Sequence, residues 1–508
     1  MSSNKKKLIF GIGVDAFGTA IAMIVGVMAI PFMLLYVSKE EYGAWLAING
    51  LVSLVSIADI GTDQYLMTVI SNEKSFKSKY FGDFILSTFI LKFFIALFVI
   101  TVAFLVYMNF SSLVIMDTDL ISPAKNTFLI AIATLIFTLF ANTFNTLLYG
   151  RKHFSLVSAT AAISSIAVSI ITVILLKTGL GIESFPLAII FTTFLQYIFI
   201  IHRVNKIYPH ITFRLKGFKF KNKTEMISYS TSFQILRWVS MFKSHYIVIA
   251  INNLIGPAAA AVYSLTAKLP QLNMMLCSKI SSPFFPFLAQ YVSDDEEMKL
   301  ASRAFIKLTK IVLRFSIFFT ILTFALTKPF VSLWVGDSNY AGNDILFIVC
   351  LMSLISSSLA SFSFVVFATK KFENWVFFSI CEIVLAVVIS YVLSGYYGLL
   401  GIILGFAFTS LITFVYLVKI VLRQLKINLI TLITEGVRYS LLTNISTIFT
   451  AIVSIKYLNI SSWFQLFFVA IIFALFHLIF TEGRMIMNSK VIGFKGRVIQ
   501  VIKDELTI

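Results

Sequence analysis

A handful of polar and ionisable side chains interrupt otherwise apolar runs of this sequence. Arg237, Lys268 and Lys279 are bases, Asp15, Asp59, Asp63 and Glu382 are acids, and Gln234 and His245 are neutral hydrogen-bonding groups. An ionisable group at mid-membrane costs at least about 2.5–3.5 kcal/mol on insertion scales, so it faces a partner or a watery path. The three bases offer charge-assisted hydrogen bonds to an anion. On a helix turning about 100° per residue, Ser230, Gln234, Arg237, Ser244, His245 and Asn252 fall on one stripe, while Lys243 falls off it. Lys268 and Lys279 are eleven positions apart, nearly one face, but Pro270 between them is expected to kink the helix and spoil that register. Asp59 and Asp63 share a face at a spacing of four. With Asp15 and Glu382 they are candidates for helix pairing or cation coupling. Lys92 lies near a span end and is expected to snorkel.

The elements that carry these residues follow from composition. Of 508 residues, 59% are hydrophobic and 13% charged, and the mean hydropathy is +0.94. Soluble domains are about 25% charged. A soluble or disordered chain is excluded, and the runs are too continuous for an outer-membrane barrel. The expected fold is all-α: a polytopic membrane protein. Cys277, Cys350 and Cys381 lie in apolar runs with no CxxC or Cys/His cluster. They read as buried small hydrophobes, and neither metal nor disulfide is expected.

A membrane-crossing helix needs about 20 apolar residues. Fourteen spans are expected, at 10–36, 43–70, 84–108, 126–149, 155–176, 185–201, 226–251, 257–288, 311–334, 345–368, 375–393, 399–421, 439–458 and 463–480. The first is too long for the apolar core of a signal peptide and reads as an uncleaved span. The formal charge of +18 is largely a topology signal. Bases crowd every second connection: Lys5 to Lys7; Lys74, Lys77 and Lys79; Arg151 and Lys152; Arg203 to Lys223; Lys299 to Lys310; Lys370 and Lys371; Lys419 to Lys426; Arg484 to Lys503. The other connections together hold only five lysines, Lys39, Lys125, Lys177, Lys328 and Lys456. By the positive-inside rule both termini are cytoplasmic. Trp45, Trp334 and Trp463, near span ends, read as interface anchors.

The halves echo each other. Gly150-Arg-Lys-His-Phe154 and Ala368-Thr-Lys-Lys-Phe372 follow spans four and ten, and glycine-bearing loops at Gly179–Ile182 and Gly398–Ile402 follow spans five and eleven. Tyr42 and Tyr263 give a third match, and the offsets are 218 to 221. Six spans per copy is even, so the repeat is parallel, and two such bundles would enclose a central cavity. The expected organisation is a six-helix bundle over 1–205, a basic cytoplasmic linker over 206–225, a second six-helix bundle over 226–425, and two added helices with a cytoplasmic tail over 426–508. The basic linker fits anionic lipid headgroups, not nucleic acid.

No GxxxxGK[ST] loop, no HExxH and no large outer loop occurs. Catalysis is not expected, and passage of a cargo is.

Ile30-Pro-Phe-Met-Leu-Leu-Tyr-Val-Ser-Lys-Glu-Glu-Tyr-Gly-Ala-Trp45, then Ile57-Ala-Asp-Ile-Gly61, resembles the opening of bacterial Wzx-type oligosaccharide flippases. These belong to the multidrug/oligosaccharidyl-lipid/polysaccharide exporter (MOP) superfamily. Tyr149-Gly-Arg-Lys-His-Phe154 resembles their loop after span four. The resemblance implies a V-shaped architecture like that of the multidrug (MATE) branch. It implies flipping of undecaprenyl-diphosphate-linked oligosaccharide repeat units to the outer leaflet of the bacterial plasma membrane, for O-antigen, lipopolysaccharide or capsule. The halves would rock in alternating access, driven by an H+ or Na+ gradient or by consumption of the product, with no cofactor. A polysaccharide polymerase and a chain-length regulator are the implied protein partners. Arg237, Lys268 and Lys279, with Gln234 and His245, would hold the diphosphate. A multidrug cation antiporter of the MATE fold, a peptidoglycan lipid-precursor flippase, and a polymerase or ligase remain alternatives. The antiporter would need an anionic cavity.

Overall fold

The described parts of the long apolar runs fold as helices. The computed structural model describes residues 18, 21–56, 62–63, 66, 70, 81–150, 153–208, 242, 245–281, 295–369, 373–457 and 460–488. Among the described residues the chain is helical and contains no strand. The helices are α1 (Ile21–Met33), α2 (Lys39–Val55), α3 (Phe81–Met108), α4 (Thr118–Gly150), α5 (Phe154–Lys177), α6 (Ser184–Ile207) and α7 (245–254). Then come α8 (Pro257–Thr266 and Lys268–Ser281), α9 (Asp295–Val335) and α10 (Asn343–Thr369). The stretch Glu373–Gln424 is two helices, α11 and α12, divided at Gly398. Last are α13 (Arg438–Thr443 and Ile445–Tyr457) and α14 (Trp463–Asn488).

Among the described residues every expected span contains helix. Among the described residues seven helices, with α11 and α12 taken together, are individually long and apolar enough to cross a membrane. Their outward faces are large and apolar: Phe93, Phe94, Phe98 and Phe104 on α3, and Phe464, Phe467 and Phe468 on α14, are exposed. Only a lipid solvent makes such surfaces favourable.

By packing, the chain divides into two units, 1–261 and 262–508. The described part of α7 therefore packs with the first half. Most of the basic linker expected at 206–225 lies outside the described residues.

In the first unit, Ser38 starts α2 with a reciprocal cap: its hydroxyl accepts from the Glu41 amide at 3.1 Å, and its amide donates to the Glu41 carboxylate at 2.7 Å. Trp45 is buried rather than anchored in an interface, because its ring stacks on Phe185 of α6 at 5.0 Å. Ile249 of α7 joins a buried cluster with Ala47, Ile48 and Leu51 of α2, Val99 of α3 and Phe110. Asn253 donates to the Leu113 carbonyl at 2.6 Å and Asn252 to that of Ile115 at 3.1 Å, which ties α7 to the α3–α4 connection. Asn252, expected on a polar stripe, is thus a fully buried packing residue.

In the second unit, α8 breaks at Ala267. Pro270 lacks an amide proton and its ring clashes with the carbonyl four residues earlier. The break precedes Lys268, so Lys268 and position 279 lie on one unbroken helical segment, and Pro270 does not separate their registers. Trp334, expected as an interface anchor, is buried beside Phe330, whereas Trp463 is partly exposed. The α11–α12 hairpin turns on Gly398 (φ 55°), a left-handed conformation. Gly179, 219 positions earlier, turns the α5–α6 connection with φ 83°. Both echoed loops thus turn through a left-handed glycine. The final pair, α13 and α14, docks on α9: Ser440 donates to the Lys310 carbonyl at 3.1 Å, and Asn444 to that of Arg314 at 3.2 Å.

Candidate functional site

Each unit has a polar interior. In the first, α3 carries Lys92 and α4 carries the run Ala141-Asn-Thr-Phe-Asn-Thr146. The Lys92 side chain is fully buried, and Asp63 beside it is one-fifth exposed. The Lys92 ammonium donates to both Asp63 carboxylate oxygens at 2.8 Å, to the Leu139 carbonyl at 2.7 Å and to the Thr143 hydroxyl at 2.8 Å. Lys92 therefore does not snorkel. An isolated ammonium in the interior is costly, and the nearby carboxylate removes most of that penalty. Leu139 and Thr143 are one helical turn apart, so one face of α4 presents both acceptors.

On the same helix the Tyr197 hydroxyl donates to Asn142 at 2.6 Å and accepts from Asn145 at 2.8 Å. This joins α4 to α6 beside the ion pair. The polar run 141–146 within an apolar span was the sequence signal for both networks.

The second unit centres on α8. Lys268, at the start of its second segment, is half-buried. One turn further, the buried Asn273 amide donates to the Ser316 carbonyl and hydroxyl, both at 3.2 Å, and to the Thr320 hydroxyl at 3.0 Å. The Cys277 thiol donates back to Asn273 at 3.4 Å. Ser281 and Ser361 pair at 2.7 Å, and Ser353 donates to the Pro270 carbonyl at 2.7 Å. This serine-rich seam binds α8, α9 and α10 and fixes the segment that bears Lys268. A third buried polar group lies where α14 meets α9 and α13. The His477 ring is 3.2 Å from the Thr447 hydroxyl and packs against Phe318 at 4.4 Å. Arg314 is buried there.

Of the other expected site residues, His245 is half-buried on α7, and Glu382 is buried on α11. Asp15, Asp59, Gln234 and Arg237 lie outside the described residues, as does the Lys279 side chain. The structure thus brings Asp63 to Lys92 and sets Lys268 at a helix break. Among the described residues no group of three or more His, Cys, Asp or Glu converges as a metal site.

Comparison with known proteins shows the lineage. No curated protein matches in sequence. Among solved structures, a lipid II flippase MurJ in an inward closed conformation superposes with a TM-score of 0.68 at 17% identity, over 92% of this chain and 98% of that one. An outward-facing multidrug resistance MATE family transporter of the MOP superfamily superposes with a TM-score of 0.59 at 13% identity, over 84% and 97%. A MATE transporter from Vibrio cholerae does so with 0.55 at 11%, over 83% and 97%. These likenesses establish the fold. A sequence model of the family described as lipid II flippase MurJ matches residues 63–478, most of the chain. The chain belongs to the lipid II flippase MurJ family, whose members are flippases and not enzymes.

Proposed function

We propose that this protein flips a peptidoglycan lipid precursor of the lipid II type across the bacterial plasma membrane. The observation that carries this reading is the family match over residues 63–478. Such a cargo has an anionic diphosphate, and Lys268 is a half-buried base suited to it, with Arg237 and Lys279 as further candidates. His245 and Gln234 are candidate hydrogen-bonding partners of the headgroup. The bases in alternate connections support cytoplasmic termini. An H+ or Na+ gradient is the proposed drive, with Asp15, Asp59 and Glu382 as candidate coupling residues. A cation antiporter is less well supported, because Asp63 is already neutralised by Lys92.

A second reading is a Wzx-type oligosaccharide flippase, with a polymerase and a chain-length regulator as partners. It is favoured by Ile30–Trp45 and Ile57–Gly61, which precede the family match, and by Tyr149–Phe154. Complementation separates the two. In cells depleted of their own lipid II flippase, expression should restore growth and outer-leaflet precursor. In cells lacking a Wzx-type flippase, surface polysaccharide should stay absent. The reverse pattern would overturn the lipid II assignment.

A further inference from the structure

Lys92 has three N–H donors, and the structure supplies three acceptor groups: a carboxylate, a main-chain carbonyl and a hydroxyl. They come from two separate segments, one around Asp63 and the other α4. All four oxygens lie 2.7–2.8 Å from the nitrogen. The lysine stem enters this cluster from α3, and its tip is fully shielded. An ammonium and a large monovalent metal ion make similar demands. Each carries one positive charge, needs oxygen ligands on several sides, and sits farther from them than the roughly 2.3–2.6 Å of calcium. Carbonyl and hydroxyl oxygens beside a carboxylate are the hard ligands that such ions take.

We propose that the Lys92 ammonium is a tethered cation filling a monovalent-cation site formed by Asp63, Leu139 and Thr143. In the native protein this site is permanently occupied by the chain itself and exchanges no ion. Cutting the side chain back to alanine vacates it for potassium or a small alkylammonium. The inference is independent of the cargo and leaves the ion coupling of the transporter to other residues.

The test is thermal unfolding of the purified full chain in potassium, methylammonium or choline chloride at equal ionic strength. Lys92→Ala should gain about 2–4 °C in potassium or methylammonium over choline, beyond any response of the unmodified protein. Adding Asp63→Asn to Lys92→Ala should abolish that gain, whereas Asp63→Asn alone should leave the cation response as it is in the unmodified protein. An equal response in Lys92→Ala and the unmodified protein would overturn the proposal. So would a cation response of the unmodified protein that Asp63→Asn removes, because the site would then exchange ions with lysine present. Cells supply potassium, so if Lys92→Ala fails to accumulate while Lys92→Met/Asp63→Asn accumulates, the oxygens do not accept a free cation. If the double variant also fails, the ammonium is a packing requirement and the proposal falls.

Discussion

Gly43 of α2 lies directly against the backbone carbonyl of Pro257, which opens α8 and belongs with Gly43 to the first unit. A methyl group at position 43 would overlap that carbonyl, and backbone cannot swing aside as a side chain can. Gly43→Ala should lower the unfolding temperature by several degrees and reduce complementation. Gly50 is the control: a Cβ there comes close only to the Ile249 side chain, at 3.1 Å, with the His245 carbonyl at an ordinary contact distance of 3.5 Å. Gly50→Ala should cost clearly less, because Ile249 can change rotamer.

Lys268 follows the break in α8, on a segment held by the Ser353–Pro270 and Asn273–Ser316 contacts. If it meets the anionic headgroup, Lys268→Ala at equal membrane abundance should reduce lipid-precursor flipping at least about tenfold, the loss of one charge-assisted contact. Lys268→Arg should keep part of the activity, since the charge remains. Equal flipping by all three proteins would remove Lys268 from the cargo path.

Asn273 satisfies acceptors on α9 at three points. Asn273→Ala should destabilise the second unit by about 1–3 kcal/mol, read as a lower unfolding temperature, because buried hydroxyls and a carbonyl lose their donor. Asn273→Gln has the same amide on a longer stem and should recover only part of the loss.

Gly179 and Gly398 both turn with positive φ. Alanine at either position should cost about 1–2 kcal/mol, and asparagine less, because its short polar side chain tolerates the left-handed region. Thermal unfolding of the four single variants checks this. Equal tolerance of alanine and asparagine would show that these turns relax to another conformation.

The helices were legible because membrane thickness sets the length of an apolar run, and the break in α8 was legible because Pro270 has one mechanical effect. The two left-handed glycines were legible as a repeated loop, although not their φ values. What failed were judgements of which neighbour a side chain meets. Lys92 looked like a snorkelling base because its partner is 29 positions away in sequence and on another segment. Trp45 and Trp334 looked like interface anchors because depth along a helix predicts exposure only if the helix face is known. Asn252 sat on a plausible stripe, but its amide serves the α3–α4 connection. Asp63 was visible as an acid, and its role required the fold.

The docking of α13 on α9 has an evolutionary consequence. Ser440 and Asn444 reach the carbonyl oxygens of Lys310 and Arg314, and those oxygens belong to the main chain. Replacing the side chain at 310 or 314 leaves both acceptors in place. Sequence drift at these two positions of α9 therefore leaves the two hydrogen bonds intact, although the buried Arg314 side chain also packs in this joint.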